Sequence, residues 1–327
     1  HNEMKLLCLV LLIAVVTALP QSQEGRLFQD FVRKHARVYA SHEESSERFF
    51  IFKENLRRAQ NQQAREQGTA QYGVTEFMDM TPAEFRATRL GNPMTRPDDL
   101  PVKHLKLRDD PPTAYDWRDY GAVTDVKNQG MCGSCWAFST TGNIEGVWVV
   151  DGGNDLIAVS EQQIIDCDTA DAGCNGGLMS QAMDYVIQQG GIETEKDYPY
   201  EGTTSGNCRV DEMGFVANIT GYAAIPEGDE DALLEQLLAH GPVSIAMNAE
   251  WLQFYMGGIS DPWWCNKNNL DHGILIVGFG SEDADNKHDF WIVKNSWGPS
   301  WGEDGYFRII RGKDKCGVAE MAISASL

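Results

Sequence analysis

Basic residues are scarce in this chain. Lysine and arginine number 27 against 48 aspartates and glutamates, a formal charge of −21 at neutral pH. That deficit argues against nucleic acid as a partner, because such binding needs clustered basic residues, and against an anionic membrane surface for the same reason. Long apolar runs are also few. The one from Leu6 to Val16 is too short to span a bilayer, and no other stretch is long enough. Cysteine is missing between Cys8 and Cys132, which separates the first third of the chain from the rest. Cys and His never recur at zinc-ligand spacings, so neither a metal nor another cofactor is expected.

What is present begins with Lys5, the apolar run and the small residues Val16-Thr17-Ala18. That is the layout of a secretory signal peptide over residues 1–18, with Met4 as the start and His1, Asn2 and Glu3 unexplained. The destination is then an oxidising compartment, lysosomal or extracellular. An acidic lumen would neutralise much of the negative charge. Cys8 leaves with the signal, so seven of the eight cysteines remain, an odd number that leaves one free thiol.

Residues 19–109 read as helical. Leu27, Phe28, Phe31 and Val32 share one face. Ser41 with Glu44 reads as a capping box and Gly68 as the stop of the helix between. Along it Glu44, Arg48, Phe52, Asn55, Ala59 and Gln63 form a stripe at spacings of three and four, with an ion pair expected between Glu44 and Arg48. Gly73, Thr75, Phe77 and Asp79 alternate as a short strand. Thr81 to Glu84, with Pro82 at the first helical position, is another capping box. Pro93, Pro97, Pro101, Pro111 and Pro112 mark an extended linker. From residue 110 on, helices come first: one containing Cys135, one opened by Ser160 to Gln163, and one from Met179 to Gln189. After Tyr200, apart from a helix Asp229 to His240, the segments are strand-like: 243–247, 273–280, 290–294 and 306–310. Helices grouped before strands predict an α+β domain over 110–327, a helical lobe against a strand-rich lobe, with a cleft between them.

The chemistry concentrates in Gln129 to Ser139. Ala137, Phe138, Thr141, Ile144, Glu145 and Trp148 fall on helical spacings, which puts Cys135 in the first turn. Unpaired N–H groups there favour a thiolate. Cys132 to Trp136 satisfies the pattern Cys-Gly-[Ser/Ala]-Cys-[Trp/Tyr], and the segment resembles the active-site stretch of papain-like cysteine peptidases. Six histidines lack any supporting pattern: His1, His35, His42, His104, His240 and His288. His272 opens a strong strand 137 residues after Cys135, the spacing of that family. Asn295, in Lys-Asn-Ser-Trp-Gly, lies farther on and is followed by Trp297. By this resemblance Cys135 is the nucleophile, His272 its base, Asn295 the group that orients the base, and Gln129 an oxyanion donor.

The resemblance implies more. The stripe on the first long helix is similar to the inhibitory proregion of cathepsin L-like peptidases, and its Ala59/Gln63 variant is similar to the cathepsin F branch. Residues 73–79 resemble a second proregion motif, with Thr75 in place of the usual Asn. A zymogen is therefore expected. Its proregion should lie across the cleft and be released in acid, as carboxylates such as Asp79 or Glu44 protonate, by a cut in the linker before Tyr115. The family pairs its cysteines as Cys132–Cys174, Cys167–Cys208 and Cys265–Cys316, whereas the sequence alone leaves fifteen connectivities open. Carried over position by position, the substrate contacts are Gly176, Gly177, Leu178, Met179, Ala246, Leu270, Asp271, Gly273, Trp297 and Met321. These give an apolar pocket for the second residue before the scissile bond. A shift of one residue would put Glu320 there instead. Expected partners are protein and peptide substrates, the chain's own proregion and cystatin-like inhibitors. Asn218-Ile219-Thr220 is a glycan acceptor. Two other readings remain. Cys132-Gly-Ser-Cys135 is also the CxxC of a thiol–disulfide oxidoreductase, although no strand precedes it. A non-catalytic, disulfide-stapled relative would lack one of Cys135, His272 and Asn295.

Overall fold

The structure is a computed structural model and describes residues 22–211, 214–282 and 288–327. The signal peptide expected over residues 1–18 lies outside the described residues. Helices α1 (Gln23–Lys34) and α2 (His42–Gln63) pack through Phe28, Phe31, Phe49 and Phe52, with ring centroids 5.2 to 5.3 Å apart for the Phe28–Phe49, Phe28–Phe52 and Phe31–Phe52 pairs. Ser41 Oγ accepts from Glu44 N–H at 3.2 Å, but the Glu44 carboxylate reaches back to Ala40 N–H at 2.6 Å, so the box closes one residue early. α2 ends at Gln63 rather than near Gly68. The Gln63 amide is turned toward the next segment, donating to Ala70 O at 3.1 Å and accepting from Tyr72 N–H at 2.9 Å.

The expected Glu44–Arg48 pair gives way to a longer-range one. Arg48 forks onto Glu84 at 2.8 and 2.9 Å and donates to Asp79 O at 3.0 Å, which ties α2 to α3 (Pro82–Arg89). α3 opens with the complete Thr81–Glu84 box and Pro82 in its first turn. Strand β1 is only Gln71–Tyr72, and residues 76–80 form turns instead of continuing the alternation. Buried Asn55 fixes those turns by donating to Met78 O at 3.0 Å and Met80 O at 2.7 Å.

The remainder has two cores. Helices α4 (Cys135–Val150), α5 (Glu161–Cys167) and α6 (Met179–Gln189) make one lobe. The other is built on a sheet. Its strands are β2 (Tyr115–Asp116), β3 (Gly221–Ala224), β4 (Val243–Met247), β6 (Ile259–Ser260), β7 (His272–Ser281), β8 (Asp289–Lys294), β9 (Tyr306–Ile310) and β10 (Met321–Ser326). Their order is β3-β10-β4-β7-β8-β9-β6, with β2 on β7; the β6–β9 pair is parallel and the other pairs antiparallel. α7 (Glu230–His240) covers one face, its N-terminus capped by Asp229. α4 lies against the sheet: Ser139 Oγ donates to Ile274 O at 2.6 Å, and Ser244 Oγ to Ser139 O at 2.7 Å. A Cβ at Gly146 would meet Pro242 Cδ at 2.6 Å, so the approach requires glycine there. The fold is thus the two-lobed α+β arrangement. Among the described residues no helix is long and apolar enough to cross a membrane.

The proregion joins the sheet lobe through a separate two-stranded sheet. β1 pairs antiparallel with β5 (Tyr255–Gly257), Thr75 Oγ1 donates to Gln253 O at 2.6 Å, and Gln253 Nε2 donates to Phe77 O and Met80 O. Its buried aromatic residues belong to the same cluster as the core of that lobe.

Candidate active site

Cys135 is the first residue of α4, behind Ser134, and lies at the seam of the two lobes. Disulfides Cys132–Cys174, Cys167–Cys208 and Cys265–Cys316 leave it as the one free thiol among the described residues. Cys132 is therefore bonded to Cys174, not to Cys135, and the segment before it is a loop. Both facts run against a cycling CxxC pair. Gly133 N–H donates to Cys174 O at 2.8 Å, which fixes the turn that leads into α4.

The start of β7 faces this helix end. Gly273 N–H points at Cys135 Sγ at 3.4 Å. His272, fully buried, donates from Nε2 to Asn295 Oδ1 at 2.8 Å. Trp297 lies over that pair, its ring centroid 4.9 Å from the imidazole at 31°. Asn295 Oδ1 also accepts from Ser296 N–H at 2.8 Å, and Ser296 Oγ donates to Gln129 Oε1 at 2.6 Å. Gln129 is thereby locked with its NH₂ donating to Cys132 O at 2.8 Å and Arg89 O at 3.2 Å. Sequence reasoning offered no hint of Ser296, whose neighbours drew the attention.

The proregion fills the cleft. Trp297 Nε1 also donates to Arg89 O, at 3.2 Å, so two donors of the site hold one proregion carbonyl. The chain then passes over the thiol: a Cβ at Gly91 would lie 3.6 Å from Cys135 Sγ. Gly91 N–H donates to Asp271 O at 2.7 Å and Met94 N–H to Leu270 O at 2.8 Å. On the opposite wall Asn92 abuts Gly176, where a Cβ would meet Asn92 N at 2.7 Å. Met94 joins the buried apolar cluster that contains Met179, Ala246, Leu270 and Met321. A methionine in a proline-rich linker carries no periodic signal, and sequence reasoning passed over it. Leu178 is half-buried beside Met179, the first residue of α6. Met321 is fully buried and pairs with Ala246 across β10 and β4. Glu320 turns instead to the Lys267 ammonium.

Burial governs the electrostatics of the site. Burial pushes the Cys135 thiol up to about 12, against the pull of the Gly273 and Trp136 N–H groups. Burial likewise pushes His272 down to about 4, although the Asn295 hydrogen bond works the other way. A helix N-terminus favours a thiolate only where the thiol keeps some contact with water. In the covered chain both shifts favour the neutral thiol and the neutral imidazole.

Comparison with known proteins agrees with this geometry. Residues 111–326 match the family described as papain family cysteine protease, and residues 28–85 match the cathepsin propeptide inhibitor domain. The chain is similar to cathepsin F of Drosophila melanogaster, at 46% identity over 316 residues, covering 92% of this chain and 50% of that one. It is also similar to cysteine proteinase 15A of Pisum sativum, at 43% identity over 311 residues, covering 90% of this chain and 84% of that one. It thus spans half the length of the fly protein and most of the pea protein. Among solved structures, digestive procathepsin L 3 from Tenebrio molitor larval midgut superposes with a TM-score of 0.83 at 36% identity, covering 94% of this chain and all of that one. With its free thiol at the head of α4 and an inhibitor domain across the cleft, the chain belongs to the papain family of cysteine proteases and carries its own cathepsin-type propeptide.

Proposed function

We propose that residues 110–327 are a cysteine endopeptidase of the secretory pathway, lysosomal or secreted, released from a signal peptide at 1–18 and an inhibitory propeptide at 19–109. The observation that carries the reading is the Cys135 thiol at the head of α4, held by the N–H of Gly273, the residue after His272, whose Nε2 makes a 2.8 Å bond to Asn295 under Trp297. Once the propeptide leaves, water and the helix N-terminus favour proton transfer from Cys135 to His272. The thiolate attacks a peptide carbonyl. The Cys135 N–H and the Gln129 NH₂ stabilise the oxyanion. His272 gives its proton to the leaving amine and then acts as base for the water that hydrolyses the acyl-enzyme. Asn295 holds the imidazole in orientation.

Gly176, Gly177, Asp271 and Gly273 supply backbone contacts to the substrate, and Trp297 flanks the leaving side. Leu178, Met179, Ala246, Leu270 and Met321 form the apolar pocket for the second residue before the scissile bond. Met94 of the propeptide, buried among them, stands in for that residue. Cystatin-like proteins are expected inhibitors, since they could enter the same cleft. Asn218 is exposed and open to a glycan. The test is cleavage of fluorogenic peptides by Cys135→Ala and His272→Ala after matched processing. Both variants should lose essentially all turnover while keeping their unfolding transitions. Normal turnover by Cys135→Ala would overturn the reading.

A further inference from the structure

Behind the Gly176–Leu178 segment lie two carboxylates to which the reaction gives no part. Asp171 Oδ1 accepts from Leu178 N–H at 2.9 Å. The same carboxyl group backs Gly177: a Cβ there would meet Asp171 Cγ and the Trp136 ring, each at 2.6 Å. Asp168 Oδ1 accepts from Ala170 N–H at 2.8 Å, and Asp168 is 7% exposed. The second oxygens, Asp168 Oδ2 and Asp171 Oδ2, are both buried, and no N–H or O–H of the described residues reaches either. The two carboxyl groups lie within hydrogen-bonding reach of one another. The disulfides at Cys167 and Cys174 pin both ends of the loop that carries them, so the two groups cannot easily swing apart.

Two ionised carboxylates in such a place repel, whereas one proton held between the groups relieves the repulsion. Burial, and then the Asp168 carboxylate, hold the Asp171 carboxyl well above the ordinary carboxylate range. Among the described residues no cation acts on Asp171 to offset this. From α6, Tyr185 and Asp184 line the same groove as Asp168. From α5, Asp166 is already taken by Gln162 Nε2, Tyr198 O–H and Ser205 N–H.

We propose that Asp171 and Asp168, sharing one proton, are positioning residues for the Gly176–Leu178 wall of the substrate cleft, and that loss of this proton as pH rises slackens the wall and weakens substrate binding. The inference rests on the peptidase reading above. Its sign follows from the raised titration of Asp171: the ordered pair is complete in acid and is lost as pH climbs through that raised value. The device would thus favour turnover in an acidic lumen without touching the reacting atoms.

The experiment uses the full-length chain activated in acid, its active sites counted with a thiol-directed peptide epoxide. KM and kcat are then measured for one apolar fluorogenic peptide from about pH 5 to about pH 9, a range that brackets the raised titration. In the wild type, KM should rise several-fold over the upper part of the range. Asp171→Asn keeps an oxygen for Leu178 N–H and an NH₂ for Asp168 at every pH, so its KM should stay flat while kcat keeps the wild-type profile. Asp171→Ala, with neither group, should raise KM at every pH. Should Asp171→Asn not fold, Asp168→Asn is expected to flatten KM in the same way. A flat wild-type KM, or an Asn variant whose KM rises like the wild type, overturns the proposal alone. A wild type that takes no label and cleaves nothing overturns the peptidase reading and this proposal with it.

Discussion

Replacing Phe77 by alanine should unlock the propeptide. The ring is fully buried and has partners on both sides of the interface: Phe85, tilted at 5.3 Å within the propeptide, and Trp297, edge-on at 5.4 Å across the cleft. Arg89 lies over it as a cation, 4.9 Å from its centroid. Truncating a buried phenylalanine costs about 3–5 kcal/mol. If half or more of that belongs to docking, the undocked population rises by a factor of about 10 to 4,000, at tenfold per 1.4 kcal/mol. Cys135 is fully buried beneath the propeptide, so its alkylation by iodoacetamide at neutral pH reports that population. In the unprocessed protein, the alkylation rate followed by intact mass should increase at least tenfold for Phe77→Ala. Phe50→Ala, at a ring already 58% exposed, should leave it unchanged. An unaltered rate in the Phe77 variant, with an undiminished unfolding midpoint, would refute the view that this aromatic contact holds the lid.

Acid should act on the propeptide through Glu84. Burial pushes its carboxyl up, but Thr81 N–H and the Arg48 guanidinium outweigh burial and hold it below the ordinary range. A depressed carboxylate stabilises above its ordinary 4.5 and loses that contribution as pH falls through the lower folded value. Glu84→Gln should therefore move the pH dependence of processing, read on gels, toward neutrality; an unchanged profile would speak against this pairing. Cys132→Ala should lower stability by about 2–5 kcal/mol in urea unfolding, since Cys132–Cys174 closes a loop of 42 residues. At the second residue before the cut, leucine, valine or phenylalanine should exceed arginine in kcat/KM by about 10-fold or more, because an arginine beside Met321 would lose water and gain no partner. A higher kcat/KM for the arginine peptide would mean that Glu320, not Met321, reaches the pocket.

Local rules located much of this fold. The limits of α6, β4 and β9 were legible because their apolar spacing and flanking glycines agree with the packing. The Thr81 box was legible because its partners are three residues apart. The failures share one cause, which is a distant partner. α2 ends at Gln63 because that amide serves Ala70 and Tyr72. The alternation from Gly73 to Asp79 is broken by Asn55, more than 20 residues earlier, which captures the turn carbonyls. Arg48 prefers Glu84, 36 residues away, to its helical neighbour Glu44. At the site, Gln129, Cys135, His272 and Asn295 could be singled out by motif. Met94, the Arg89 carbonyl and the Asp168–Asp171 pair could not, because their roles depend on what lies opposite them and not on what precedes or follows them in the chain. The state of the thiol was likewise hidden: a helix N-terminus predicts a lowered value, and burial raises it instead.

The central claim is that Cys135 is a nucleophile masked by its own propeptide. Its most direct test is mass mapping of a thiol-directed peptide epoxide on the unprocessed and acid-processed protein side by side. The account predicts one adduct per processed molecule, on Cys135, with parallel loss of peptide cleavage, and little or no adduct on the unprocessed chain at neutral pH. An adduct elsewhere, or equal labelling of Cys135 in both forms, would contradict it.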